Sequence, residues 1–423
     1  MREMKDSGIE WIGKIPEEWT KDKAIRLFNI IGSGTTPKNI TSDFPCVNWI
    51  QSGDINGSLI SSCKNNVSES IISQYSALKI YAAPFIVIAM YGASVGNTSI
   101  SLIDGCVNQA CCVLSASIYN LNYAFYAIKS SQNYLIRKAI GGGQPNISQD
   151  TIKQLWLPLP ALHEQKRIAA FLDAECAEID AVLEKTRASI EEDKKLKQAV
   201  ITQAVTKGIR GDRPMKDSGI EWIGDIPAEW DVVRIKNLFD YRNERNFKPL
   251  EEVNLISLYT DKGVVQHCDL DETTGNKASN ADGYKLVYEN DIVVNIILCW
   301  MGAIGRSAYF GVTSPAYDVY SPKQKTNSKF YHYLFRTNGF SGDCYKVGRG
   351  IMAMRWRTYS DQFRAIKVVS PPQSEQEEIV EYLDEKCDGI DDLIAKKQQY
   401  LTEIENYKKS LIYEYVTGKK EVI

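Results

Sequence analysis

Two short stretches hold the side chains best suited to contact a polyanion. The first, RKAIGGGQPN at residues 137–146, sets Arg137 and Lys138 before three glycines and then supplies Gln144 and Asn146. The second, KVGRG at 346–350, continues to MRWR at 354–357 and carries Lys346, Arg349, Arg355 and Arg357. Arginine can pair with guanine O6 and N7, and glutamine or asparagine with adenine N6 and N7, in a major groove. Lysine and spare arginine meet phosphates. Taken singly, any of these residues also fits a solvated surface loop. What favours the pair is position: both loops are polar, both lie late in their half of the chain, and their chemistry differs.

Catalysis has less to work with. The chain has 3 histidines, and His267–Cys268 stands without a third partner. No GxxxxGK[ST] phosphate loop occurs, and the glycine turns at 32–34 and 92–96 lack the GxGxxG spacing. SPPQ at 370–373 lacks both the polar residue and the aromatic that flank the paired prolines of an adenine-methyltransferase motif. Carboxylates are plentiful but fall mostly in helical stretches of alternating charge, which read as solvated faces. The expectation is a binding protein with no catalytic residues and no metal site.

These loops sit inside a repeat. MKDSGIEWIGKIPEEW at residues 4–19 returns as MKDSGIEWIGDIPAEW at 215–230, an offset of 211. The register persists: Leu27–Phe28 recurs as Leu238–Phe239, Glu164–Gln165 as Glu375–Gln376, Leu172–Asp173 as Leu383–Asp384, and Val205–Thr206 as Val416–Thr417. Between these flanks, residues 20–157 and 231–368 show little likeness. Each half is therefore a constant frame around a variable insert, and such a repeat fixes the architecture. Within the lead-in, Ser7 and Glu10 (Ser218 and Glu221 in the second copy) have capping-box spacing, and the Trp and Ile residues are candidates for burial.

The frame segments after 160 and 372 predict long helices. Leu172, Cys176, Ile179 and Leu183 begin one stripe in steps of four and three; Leu383, Cys387, Ile390 and Ile394 begin the other. This is a coiled-coil seam, imperfect over 186–197, where Leu196 suggests drift toward a 3.6-residue period. Prolines precede each helix, and Gly208 and Gly418 follow. One such rod cannot bury its own stripe, but two in one chain can bury each other's; packing of each rod on its own insert is the plainer alternative. The inserts read as mixed α/β globules, with short strands broken by Gly, Asn and Asp, DIVVNIILCWM at 291–301 as a buried strand, and one helix each at 122–140 and 328–347. The expected fold class is α+β, with two globules joined by two helices in an antiparallel coiled coil. The expected segments are 1–157, 158–208, 209–368 and 369–423.

Bulk properties agree with a soluble protein of two or three domains. The 423 residues are 44% hydrophobic and 24% charged. No apolar run approaches the ~20 residues of a membrane span, and the start lacks the apolar core of a secretory leader, so a cytoplasmic location is expected. Ten scattered cysteines without a CxxC pair read as reduced thiols, with Cys111 and Cys112 as small buried residues. The net charge of −3 hides an asymmetry. Residues 20–157 hold 10 Lys and Arg against 6 Asp and Glu, and residues 231–368 hold 19 against 15, whereas residues 369–423 hold 7 against 13.

This combination resembles one family. Two dissimilar inserts, each led by an IEWIGxIPxxW segment and followed by an EQxxIxxxLDxxxxxID helix, are similar to the specificity subunit of type I restriction–modification enzymes, over essentially the whole chain. The resemblance implies a non-catalytic DNA-reading subunit, each insert being a target-recognition domain for half of a bipartite duplex sequence. It implies that the paired helices set the unread spacer and dock two methyltransferase subunits, and that restriction subunits join for cleavage. S-adenosylmethionine, ATP and Mg would sit on those partners and no cofactor on this chain. Antiparallel helices would give the molecule a pseudo-two-fold axis matching the dyad of a duplex. The alternative reading is a coiled-coil scaffold whose two globules bind proteins; a self-contained methyltransferase or nuclease is disfavoured by the missing motifs.

Overall fold

A computed structural model describes residues 2–38, 46–139, 145–267, 280–350 and 356–422. The chain divides into two compact units, Met1–Arg187 with Gln399–Ile423, and Ala188–Gln398. Each unit takes one globule, part of the first long helix Leu162–Lys207, and part of the second, Gln373–Val416.

In the first unit the lead-in is a small hairpin, Met4–Asp6 against Lys14–Pro16. The globule is then gripped at its two chain ends by a clasp, in which Thr20–Lys23 pairs antiparallel with Trp156–Leu159. Inside the clasp a five-stranded sheet runs in the order Phe28–Ser33, Cys111–Ser117, Phe85–Ala89, Thr98–Ser101, Leu59–Ile60. All its pairs are antiparallel except the last. The run FIVIA at 85–89 is buried throughout because the strand has a core on each face. Ile86 and Ile88 join one cluster, while Phe85, Val87 and Ala89 join another. The same alternation separates Cys111 from Cys112, which face opposite cores. A second sheet is formed by Gly105–Val107, Cys46–Ile50 and Asn65–Ser68.

The second unit repeats the plan at the same register. Its lead-in hairpin pairs Met215–Asp217 with Asp225–Pro227, and its clasp pairs Asp231–Arg234 with Lys367–Ser370. Its sheet runs Phe239–Arg242, Tyr317–Pro322, Ile292–Asn295, Ile304–Arg306, antiparallel throughout. Ile292 and Val294 face one core and Val293 the other. Four strands in one order thus recur in two inserts of unlike sequence. The expected strand at 291–301 is shorter than its apolar run: after Asn295 the chain turns, Cys299–Met301 is a single 3-10 turn, and Met301 is half exposed.

Each expected single helix is a pair. Leu121–Ser130 and Gln132–Lys138 break at Ser131, whose hydroxyl donates to Ile128 O at 2.7 Å. Ser328–Phe335 and Asn338–Val347 break before Thr337, which caps the second of them by accepting from Phe340 N. The lead-in differs too. Ser7 caps no helix; its hydroxyl accepts from Ile9 N at 3.1 Å in a turn, and Gly8 and Gly13, both at positive φ, close the segment off. Ser218 and Gly219 do the same in the second copy.

The long helices keep the predicted stripe, and in each unit their segments run antiparallel. In the first unit Phe171 packs on Tyr415 with ring centres 4.4 Å apart, Lys408 reaches Asp180 at 2.6 Å, and Arg187 reaches Glu405 at 2.7 Å. In the second, Lys397 bonds Asp193 and Lys197 bonds Asp391, each at 2.5 Å. Leu172, Cys176, Leu183, Leu383 and Cys387 are buried, while Ile179, Ile390 and Ile394 are half-buried. Leu196 does not join them: it is 54% exposed, because Lys197 keeps its stripe position through Asp391. Both readings of the stripe hold at once, since Leu172 and Cys176 share a cluster with the globule's Tyr123 and with Leu411 of the other helix.

Candidate nucleic-acid interface

The conserved register of the two halves becomes a set of matched bonds. Trp19 Nε1 donates to Glu164 Oε2 at 2.9 Å, and Trp230 Nε1 to Glu375 Oε2 at 2.9 Å. The same carboxylates take Arg2 at 2.5 Å and Arg213 at 2.6 Å. Gln165 Oε1 accepts from Asn120 N at 2.7 Å and Gln376 Oε1 from Asn327 N at 2.8 Å, each at the start of a helix pair. Tyr126 donates to Asp173 at 2.8 Å and Tyr333 to Asp384 at 2.7 Å. The Glu-Gln and Leu-Asp dipeptides thus orient each globule on its long helix. Buried polar groups demand partners, and both halves meet most of that demand with matching residues. The sequence displays both motifs; it does not say that the lead-in tryptophan meets the helix glutamate.

On that support the two polar loops take equivalent places, each between the second helix of the pair and a short following helix, Gln149–Lys153 or Ser360–Ala365. Each is tied down by the chain leaving the central strand: Ile147 N donates to Met90 O at 3.0 Å, and Thr358 N to Ile296 O at 2.8 Å.

In the first unit Arg137 and Lys138 end the helix Gln132–Lys138, and exposed Asn146 forms a bridge with Tyr91. Arg137 reaches Glu10 of the lead-in at 3.2 Å, and Lys138 lies over the Tyr134 ring at 5.4 Å. In the second unit Lys346 stands in the last turn of Asn338–Val347 and meets Glu221 at 3.1 Å, which raises its pKa. Exposed Arg349 and Arg357 face each other through two backbone bonds of 2.9 and 3.0 Å. In the second unit Lys346, Arg349 and Arg357 therefore lie together, whereas in the first Asn146 and the pair Arg137–Lys138 stand at the two ends of the loop, each on its own partners. Gln144 and Arg355 lie outside the described residues.

Glu10 and Glu221 occupy the same frame position, and each holds a cation at its loop's edge. Both pairs lie at the exposed surface, where water and salt screen their attraction, so neither binds its cation tightly. Sequence reasoning missed the aromatic surroundings of the second loop, where Trp356 stacks on Tyr345 with ring centres 5.1 Å apart.

Elsewhere desolvation sets several of the shifted groups. His332 is half-buried and held neutral, its pKa lowered to about 3 by desolvation, with Nδ1 accepting from Arg306 N. Burial pushes the Cys111 and Cys112 thiols up to about 12. Among the described residues no group of three His, Cys, Asp or Glu side chains is placed to hold a metal ion, and no helix is long and apolar enough to cross a membrane.

A family model described as the type I restriction modification DNA specificity domain matches twice, over residues 16–192 and 227–405. The chain belongs to this family. The two matches begin in the two lead-ins and end in the two long helices, so the family's repeat is the repeat of this fold.

Relatives agree. The type I restriction enzyme MjaVIII specificity subunit of Methanocaldococcus jannaschii is 26% identical over 71% of this chain and 70% of its own length. The putative type I restriction enzyme MjaX specificity subunit of the same organism is 28% identical over 70% of this chain and 65% of its own length. Among solved structures, a chain from a study of complex assembly and conformational transition of the type I R-M system superposes with a TM-score of 0.70, over 96% of this chain and 99% of that one, at 14% identity. The HsdS subunit of Thermoanaerobacter tengcongensis gives 0.50 over 96% and 98%, at 15% identity. At such identities the structural likeness speaks for the fold.

Proposed function

We propose that this chain is the sequence-reading subunit of a type I restriction–modification assembly. Each globule reads one half of a bipartite duplex target, and the chain itself catalyses nothing. The carrying observation is the equivalence of the two loops: one fold, one frame position, two chemistries. A reader of two different half-sites needs that combination. Arg349, Arg357 and Arg355 suit guanine or phosphate, Gln144 and Asn146 suit adenine, and Arg137, Lys138 and Lys346 suit phosphates at the edges.

The long helices act as the spacer and as the docking rail for two methyltransferase subunits, which bring S-adenosylmethionine. Restriction subunits, when they join, bring the ATP and Mg chemistry. The assembly works in the cytoplasm. Shortening both helices by the same few residues should then alter the spacer and leave the bases read unchanged; altered bases with an unaltered spacer would refute the ruler.

The binding test uses the chain assembled with its methyltransferase partners, titrated with duplex DNA at several salt concentrations. Phosphate contacts release counterions, so the logarithm of the affinity should fall steeply and linearly with that of salt. Binding that is absent or insensitive to salt would favour a protein-binding scaffold.

A further inference from the structure

The two loops are fastened by different devices, and the second rests on aromatic packing. Arg349 and Arg357 are joined by one antiparallel bridge. A bridge of two backbone bonds is too weak by itself to hold Arg349 and Arg357 in place in water, since even an isolated two-stranded hairpin is marginal. A ladder of rings beside the bridge adds the hold. Trp300 packs edge-on against Tyr345 at 5.6 Å, and Tyr345 stacks on Trp356 at 5.1 Å with 24° between the planes. Trp356 Nε1 donates to Tyr345 O at 3.1 Å, so the indole is held by its edge as well as its face.

Two further contacts lock the ladder to its helix. A Cβ on Gly348 would fall 2.3 Å from Trp356 Nε1, so only glycine lets the indole lie this close to the chain leaving the helix Asn338–Val347. Buried Thr358 donates through Oγ1 to Cys344 O at 3.0 Å. The residues on either side of Arg357 are therefore anchored to the helix, while Arg357 itself is exposed. In the first unit the corresponding loop edge is fixed by the Tyr91–Asn146 bridge, with Gly92 N donating to Pro145 O at 3.0 Å.

We infer that Trp356, stacked on Tyr345 and seated against Gly348, is a positioning residue that sets the sequence discrimination of the second globule by fixing Arg349 and Arg357. This rests on the proposed reading of DNA. An arginine distinguishes guanine only when its fork meets O6 and N7 together, so a loosened backbone costs discrimination before it costs phosphate affinity. The indole acts through the arginines and need not touch a base.

The test uses the assembled methyltransferase complex and the target mapped from the adenines it methylates. Affinities are measured for the target, for duplexes altered in one half-site or the other, and for unrelated duplex. In Trp356→Ala, discrimination at one half-site should fall roughly tenfold, the size of effect an aromatic pair contributes. Discrimination at the other half-site and affinity for unrelated duplex should hold within about twofold, which also shows that the complex is folded. Trp356→Phe, which keeps a ring on Tyr345, should retain most of the discrimination; Gly348→Ala should behave like Trp356→Ala. Unchanged discrimination in Trp356→Ala, or equal loss at both half-sites, would overturn the inference. Failure of the unaltered complex to discriminate at either half-site would overturn the DNA reading beneath it.

Discussion

The two globules share a skeleton and differ in what is hung on it. Both are held by the same clasp, both use four strands in the same order, and both present a Trp–Glu bond of 2.9 Å at the base. They part company between the edge strand and the central strand. Between the edge and central strands the first inserts Cys46–Ile50 and Asn65–Ser68, which join Gly105–Val107 in a three-stranded sheet, while the second inserts the hairpin of Ile256–Tyr259 and Gly263–Gln266 and the strand Lys285–Val287, which pairs with Gly311–Thr313. Even the lead-in tryptophans diverge where they meet the insert. Trp11 donates to Trp156 O at 3.1 Å within the clasp, whereas Trp222 donates to Asp343 of the second globule's helix at 2.6 Å. Groups that face the frame are constrained to be the same; groups that face away are free to vary.

If the frame really is one device used twice, damage to it should be symmetric. Trp19 and Trp230 are 1% and 0% exposed, so Trp19→Ala and Trp230→Ala should each cost roughly 3–5 kcal/mol. Chemical denaturation of each variant checks this, and a cost confined to one of them would break the equivalence. A smaller effect is expected along the helix pair. Lys197→Glu in the second unit and Arg187→Glu in the first should each cost about 0.5–1 kcal/mol, because their pairs with Asp391 and Glu405 are partly exposed. Adding Asp391→Lys or Glu405→Arg should restore most of the loss in the respective unit. A double variant no more stable than its single would show that the pair contributes nothing to the seam.

Much of this was legible in the sequence. The 211-residue offset gave the frame, and the four-and-three spacing gave the buried stripe from Leu172 and from Leu383. What could not be read has physical reasons. Ser7 and Glu10 match a capping box, but two glycines at positive φ divert the segment into a turn, and Glu10 turns to Arg137. Leu196 is apolar yet exposed, since Lys197 satisfies its charge across the seam. The helix pairs looked single because Ser131 and Thr337 interrupt an apolar pattern that otherwise continues. The shared sheet order was hidden because a strand needs only apolar residues on the right faces, which Phe-Ile-Val-Ile-Ala and Ile-Val-Val-Asn both supply. The loops were found by composition, but the stack of Trp356 on Tyr345 joins residues eleven positions apart, Tyr345 standing in the last turn of its helix, and no local pattern displays it.

The central claim is that each globule reads its own half-site. Its most direct measurement is the methylation target of the assembled complex, mapped for the unaltered chain, for Asn146→Ala and for Arg349→Ala. The account predicts that Asn146→Ala relaxes one half of the target and Arg349→Ala relaxes the other, each at a cost of roughly 1–3 kcal/mol at a single base position, with the spacer unchanged. Relaxation of the same half by both variants, or an unaltered target in both, would contradict it.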